Sequence, residues 1–303
     1  MTARIVRRGF LVAVALAVLA TSGARGQGPT GIDLALVDMD GTKRVVGQLP
    51  PSVYAPRISP DGKRVAFETR DTAGPDGARL WTAELSNIAG RQPLPLVAGA
   101  INRSPMWTPD GQRFVFIVSG ERGDAVYWRR ADGTGDAEHL FDARSTEGWN
   151  GGTSQIRFLT LTGNNDYGLS LFDMASRTIT PILDLPGSAQ HSSAMSPDGR
   201  WMAYASNETG RYEVWIEPFP RTGARYQVTR DGGSHPLWLP DGQSLYFDRD
   251  RQMFRIAVNT KDMSARVEPT PLPIKGFAQA EYRRQFELMP GGRQFLMLFP
   301  TGQ

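Results

Sequence analysis

A five-residue signature returns along this 303-residue chain: SPDGK at 59–63, TPDGQ at 108–112, SPDGR at 196–200, LPDGQ at 239–243 and MPGGR at 289–293. A fixed-period repeat constrains a fold more than composition does, because each copy must form the same unit and stack on the next. The prolines fall at 60, 109, 197, 240 and 290, in steps of 49, 88, 43 and 50 residues, so the long step holds two units. In WNGGTSQIRFLTLT, Gly151 and Gly152 take the places of Pro and Asp, because Phe158 then follows seven residues on, as Phe67 follows Pro60. Six units of about 46 residues result.

Each unit reads as four short strands. In the first, VYAPRIS leads into the Asp61-Gly62 turn, and RVAFETR, ARLWTAEL and QPLPLVA follow. Asp-Gly supplies the positive φ and the side-chain hydrogen bonding of a tight strand connection, and Pro fixes its entry, so turn chemistry accounts for the motif. Two residues before each turn stands a large apolar side chain: Ile58, Trp107, Trp149, Met195, Trp238 and Leu288. Blade-to-blade packing around a ring requires this. The expected fold is all-β: a six-bladed β-propeller of four-stranded antiparallel blades.

The two ends explain each other. After its turn the sixth unit has room only for RQFLMLFP, two strands short of a blade. At the other end, LALVDM at 34–39 aligns without a gap on LSLFDM at 169–174, the third strand of unit three, and Asp40-Gly41-Thr42 matches Asp132-Gly133-Thr134. Residues 27–48 are therefore expected to supply the third and fourth strands of blade six, closing the ring and removing its open edges. The same match assigns DMDGT at 38–42 to a strand-connecting turn rather than a calcium loop, whose later ligands it lacks.

Residues 1–26 read as a signal peptide: Arg4, Arg7 and Arg8 precede an 11-residue apolar run from Phe10 to Ala20 and then small residues. The run falls short of the ~20 residues a membrane-spanning helix needs, so no intrinsic span is expected unless the signal is retained as an anchor. Arg7-Arg8 followed by Gly-Phe-Leu resembles the twin-arginine export signal. Four of the 34 basic residues lie in this leader and no acid does, which leaves the remainder near neutrality against 31 acidic residues. The pI of 9.3 thus belongs to the leader, and no nucleic-acid partner is expected. There is no cysteine, hence no disulfide framework and no thiol nucleophile.

These units resemble TolB-like propellers, a WD-repeat-like group of bacterial envelope proteins. The resemblance covers nearly all of 27–303 and is strongest from Met195 to Val258, where SPDGRWMAYASNETGRYEVWIEPFP and GGSHPLWLPDGQSLYF look like the propeller fused behind bacterial Ser/Thr kinases. Kinase motifs are missing: there is no Gly-rich phosphate loop, HRD or DFG. TolB also carries an N-terminal α/β domain, for which 27–48 leave no room. The resemblance implies a periplasmic or extracellular protein without a cofactor.

Chemistry is sparse. No Ser stands in a G-x-S-x-G context, no His pair has metalloprotease spacing, and no P-loop or dinucleotide fingerprint appears, so neither a metal nor a cofactor is expected. Tyr54, Arg103, His191 and Arg284 each lie six residues before a proline and His235 five before, where an inner strand enters the channel. Together they form either a polar, cationic rim suited to a carboxylate or acidic chain end, or an ordinary hydrated channel mouth. The leading expectation is a non-enzymatic binding or scaffold subunit with a protein partner in the cell envelope, a membrane complex included. The alternatives are a channel enzyme, lactonase-like or sugar-acting, which needs several carboxylates or a metal converging there, with Glu287 the nearest acid, and a small-ligand sensor.

Overall fold

A computed structural model describes residues 31–301 apart from 71–76, 95–96, 98–99, 122, 151–153, 162–165 and 263–266. Among the described residues, 24 strands form six four-stranded antiparallel sheets. Five blades are consecutive meanders, whose inner strands are Val53–Ile58, Ile101–Trp107, Ser145–Trp149, Gln190–Met195 and Ser234–Trp238. The sixth is composite. Phe286–Leu288 and Gln294–Pro300 come from the C-terminal side, Ile32–Asp38 and Lys43–Leu49 from the N-terminal side.

The closing seam matches the internal alignment down to its side chains. Ile32–Asp38 pairs along its whole length with Gln294–Pro300. Gln294 Nε2 donates to Asp38 Oδ1 at 2.9 Å, and at the aligned position Gln155 Nε2 donates to Asp173 Oδ2 at 3.1 Å. The N-terminal strand therefore occupies a third-strand position in both pairing and chemistry.

Alternation then builds the core. Leu34 and Leu36 face blade one, packing with Val65, Phe67 and Ile88, while Ala35 and Val37 face blade five, packing with Tyr246, Met253 and Ile274. A strand covered on both faces sends successive side chains into two different interfaces. The six buried apolar clusters correspond to the six blade-to-blade seams. Among the described residues, eleven buried apolar side chains form each seam flanking blade six, against five between blades three and four, so polar groups have most room at that thin seam. The apolar position before each turn also ties neighbours: Trp107 Nε1 donates to Arg57 O, Trp149 Nε1 to Trp107 O and Trp238 Nε1 to Ala194 O, each on the preceding blade.

The repeated turn closes as its chemistry demands. In blade four, Gly199 N–H donates to Ser196 O, Trp201 N–H donates to the Ser196 hydroxyl, and Asp198 Oδ1 accepts from both the Ser196 hydroxyl and Arg200 N–H. Gly199 supplies the required positive φ of 70°. The same five-residue closure recurs from Ser59 to Arg64, Thr108 to Arg113, Leu239 to Ser244 and Met289 to Gln294. Gly151 and Gly152, the inferred degenerate turn, lie outside the described residues, yet Asn150 N–H donates to Gln155 O with the same separation.

One strand differs from expectation. The fourth strand of blade one, expected at QPLPLVA, is Asn87–Pro93. Glu84 pairs directly with Asn87, so a tight hairpin returns the chain at once, and the strand ends at Pro93, opposite Trp81. The leader, residues 1–26, lies outside the described residues.

Candidate functional site: the channel beneath Tyr282

The inner strands enter the channel through β-bulges. Pairing slips between Tyr54 and Arg57, Arg103 and Met106, Thr146 and Gly148, His191 and Ala194, and Ser234 and Leu237. At four of these bulges a non-glycine residue five positions before its proline takes a positive φ: Ala55, Ser104, Ser192 and His235, at 50° to 56°. Such residues cost on the order of 1–3 kcal/mol each and persist where surroundings hold them. Acceptors on the preceding blade do so at three of these bulges. Gln285 Oε1 accepts Ala55 N–H at 3.1 Å, Glu68 Oε2 accepts Ser104 N–H at 3.0 Å, and Glu147 Oε2 accepts Ser193 N–H at 2.7 Å.

A cavity of about 360 Å³ runs inward from Pro60, Pro109 and Pro290 at the turn end to Tyr282 and Arg283. A second hollow of about 270 Å³, lined by Arg103, Asp124 and Tyr167, shares Tyr282 and Arg283 with the first. Those two residues therefore stand between the two spaces. Their segment is pinned from several sides: Gln279 Nε2 donates to Asp248, Arg283 Nη1 donates to both oxygens of Glu68 at 2.8 and 3.0 Å, and Tyr282 meets His191 and Tyr212 edge-on. It spans the mouth from blade five to blades one and four.

The cavity wall carries Arg57, Arg284, Glu147 and Glu287. Arg284 Nη2 donates to both Glu287 oxygens at 3.0 Å, and Arg57 Nε lies 3.6 Å from Glu287 Oε2. Burial holds the Arg57 guanidinium down to about 10, opposed by Glu287, so it stays cationic at neutral pH. Burial pushes the Glu147 carboxyl up to about 7, against the Ser193 N–H and the neighbouring Arg157 and Arg284. Behind Glu147, the buried Arg157 donates through Nε to the Ser193 hydroxyl at 3.1 Å, and its Nη1 has no partner.

The five residues of the expected rim are not gathered on one surface. Arg284 lines the main cavity, whereas Arg103 lines the outer hollow, bound to Asp124 at 2.6 Å. Tyr54 packs under the Arg70 guanidinium. His191 and His235 are buried, at 0% and 2% exposure, with ring centroids 5.7 Å apart. The bulges turn these inner-strand positions, and Tyr282 covers His191. His191 Nδ1 bonds the Ser192 hydroxyl at 2.8 Å and His235 Nδ1 bonds Asp248 Oδ1 at 2.7 Å, while both Nε2 atoms lack partners. Burial, then the neighbouring His235, keeps His191 well below its usual range and hence neutral. The His235 to Asp248 pair resembles an oriented base, but among the described residues no hydroxyl bonds its Nε2.

Sequence reasoning missed Arg57, Glu68, Glu147, Arg157, Tyr282 and Arg283. A signal existed for Arg157 and Glu68, which interrupt the apolar strands QIRFLTL and RVAFETR. Among the described residues, no group of three or more His, Asp or Glu side chains could hold a metal ion, and no helix is long and apolar enough to cross a membrane.

No protein-family model matches the chain. An uncharacterised protein of Agrobacterium fabrum is 24% identical over 229 residues, 74% of each chain. The solved structure of a TolB from Agrobacterium tumefaciens matches with a TM-score of 0.67 and 18% identity, covering 90% of this chain and 99% of that one. The fold is shared with TolB propellers. TolB from Acinetobacter baumannii gives a TM-score of 0.60 at 17% identity, over 81% of this chain and 64% of that one. Prolyl endopeptidase propellers are also similar, with a TM-score of 0.53 at 17% identity, over 87% of this chain but 43% of the larger enzyme. At these identities the likeness carries the fold alone.

Proposed function

We propose that this chain is an exported, non-enzymatic propeller that offers its channel to a protein partner in the cell envelope. The observation that carries this reading is the channel itself: a cavity whose wall carries Arg57 and Arg284, bounded at one end by Tyr282 and Arg283, where among the described residues no hydroxyl bonds Nε2 of the His235 to Asp248 pair. Residues 1–26 act as the export signal, of twin-arginine type, and deliver residues 27–303 to the periplasm or beyond. The kinase-fused propellers remain a likeness of the segment from Met195 to Val258. Arg103 and Arg284 offer charge to the partner at the two faces of the Tyr282 segment, Tyr54 lies at the edge, and His191 and His235 support the segment from beneath.

Affinity isolation from the envelope fraction tests this directly. A specific partner should copurify with the wild-type chain and be lost when Arg103 and Arg284 are both changed to Met. Retention by a variant with all five rim residues substituted and folding intact overturns the assignment. Export is tested separately: a reporter fused to residues 1–30 should lose export when Arg7 and Arg8 become Lys.

A second reading is favoured by one observation. Glu147 and Glu287 share the cavity in contrasting environments, one carboxyl pushed up by burial and the other flanked by Arg57 and Arg284, an arrangement suited to acid and base roles in a sugar-acting hydrolase. Hydrolysis of an aryl glycoside lost in Glu147→Gln would establish it, and a stoichiometric divalent ion would point to a metal-dependent lactonase.

A further inference from the structure

The cavity has more positive charge than its own carboxylates neutralise. Arg57 and Arg284 share one carboxylate, Glu287. Arg57 anchors one edge through Nη1, which donates to Pro56 O at 2.8 Å and Arg284 O at 3.2 Å. Arg284 anchors Nε on Phe286 O at 3.0 Å and Nη2 on Glu287. Among the described residues, Arg57 Nη2 and Arg284 Nη1 have no hydrogen-bond partner, so each guanidinium keeps a free amino group. On blade three, Glu147 accepts one N–H on Oε2, and Oε1 has no partner there either.

A ligand that completes this wall must be an anion. Arg283 is matched by Glu68, so a cation would meet Arg57 and Arg284 against Glu287 and Glu147, and Glu147 is largely uncharged below pH 7. The planar carboxylate suits guanidinium donors, and a neutral carboxyl opposite can donate one further hydrogen bond. Shape narrows the source. The cavity starts at the prolines of the turn end, and Tyr282 and Arg283 stand between it and the outer hollow, so a chain end entering from the turn end meets them first. Its volume, about 360 Å³, lies at the small end of the ~300–1,000 Å³ typical of ligand pockets.

We propose that the channel cavity is a socket for the free α-carboxylate of a partner's chain end, held by Arg57 and Arg284 and facing the carboxyl group of Glu147. This deepens the binding reading above and rests on it. Glu147 sets the pH range of the socket. The groups facing it are Arg57 and Arg157 from blades one and three, the Ser193 N–H from blade four, His235 from blade five and Arg284 from blade six. In its neutral form it donates to the guest. Ionised, it repels the guest, so affinity falls as pH rises through about 7.

The test uses the full chain and two probes, N-acetyl-trialanine with a free carboxylate and the same peptide as its C-terminal amide. Binding is followed by tryptophan fluorescence, since Trp107 and Trp149 line the cavity, and by calorimetry. The acid should bind at least tenfold more tightly than the amide. Arg57→Met and Arg284→Met should each weaken the acid tenfold or more, while Glu147→Gln should keep the affinity and abolish its fall above pH 7. Acid and amide binding alike, or neither binding to folded protein, overturns the socket. If the arginine variants do not fold, the acid-to-amide ratio on the wild-type chain still decides. A chain that captures an envelope protein but ignores the peptide carboxylate refutes the socket and leaves the binding role, whereas peptide binding without a captured protein does the reverse.

Discussion

The inner strands run between two ends built on opposite rules. At the turn end, near-copies of one motif satisfy their own polar groups: Asp61, Asp110 and Asp198 each accept a hydroxyl and a backbone N–H, and glycine supplies the positive φ. At the bulged end, Ala55, Ser104, Ser192 and His235 adopt that conformation without being glycine, acceptors on neighbouring blades hold three of the bulges, and two imidazole nitrogens lack partners among the described residues. Local chemistry repeats because every blade needs it, whereas strain and unmatched polarity collect at one place, the pattern that the proposed binding site predicts. The conspicuous motif marks architecture, and the inconspicuous positions line the proposed site.

The largest effect should come from breaking the contact that ties the bulged end together. Glu68, fully buried, accepts from Ser104 N–H, Arg70 Nε and Arg283 Nη1 at once. Glu68→Ala leaves Arg283 and a bulge N–H unmatched and should cost about 3–5 kcal/mol, the range for breaking a buried ion pair. Denaturant unfolding measures it, and a loss below about 1 kcal/mol would show that the Tyr282 segment holds by other means. Next in size is Gly148→Ala. Its φ is 151° and a Cβ there would stand 2.8 Å from Arg157 Nη2, a buried guanidinium fixed on Ser193. About 2–3 kcal/mol should be lost, since overpacking and backbone strain act together.

This contrast also sets what was legible in the sequence. The turns, the six units and the N-terminal closure could be read because each rests on local chemistry repeated in register, as in Leu34–Met39 against Leu169–Met174. The site could be read only as a register. Nothing local distinguishes Ala55 or Ser104 as left-handed, so the direction of the neighbouring Tyr54 and Arg103 side chains was hidden. The contact of Arg283 with Glu68 joins residues 215 apart in sequence, and Glu147 and Arg157 meet Ser193 across the seam between blades three and four, where the apolar cluster of described residues is small. Such facts belong to the assembled ring.

The two ends should also answer pH with opposite signs. Glu147 has its folded-state value pushed up to about 7 by burial, so the folded protein holds more protons than the unfolded chain between about pH 4.5 and 7. Stability therefore falls as pH rises across that window, and Glu147→Gln should remove the slope. Asp198 is lowered to about 2, first by the Ser196 hydroxyl and then by Arg200. Its contribution is complete above about pH 4 and is lost as pH falls through 2, and solvent screening of this exposed carboxylate keeps it small. Melting curves from pH 2 to 8 separate the two, and a stability flat from pH 4.5 to 7 would remove Glu147 from the buried site.

The smallest effect should appear at the turn end itself. Gly199 has a φ of 70°, as Gly148 is also positive, but a Cβ on Gly199 meets nothing within 4 Å. Gly199→Ala therefore incurs only the left-handed penalty of an L-residue, about 1 kcal/mol. In a ring of this size that corresponds to a melting shift of roughly 2–4 °C. The two substitutions are chemically identical, and the turn-end bonds of Ser196 and Asp198 survive in the variant, so their difference isolates what packing adds at the bulged end. Equal losses at Gly148 and Gly199 would mean that Arg157 moves freely, and the strain assigned to the bulged end would then reduce to backbone conformation alone.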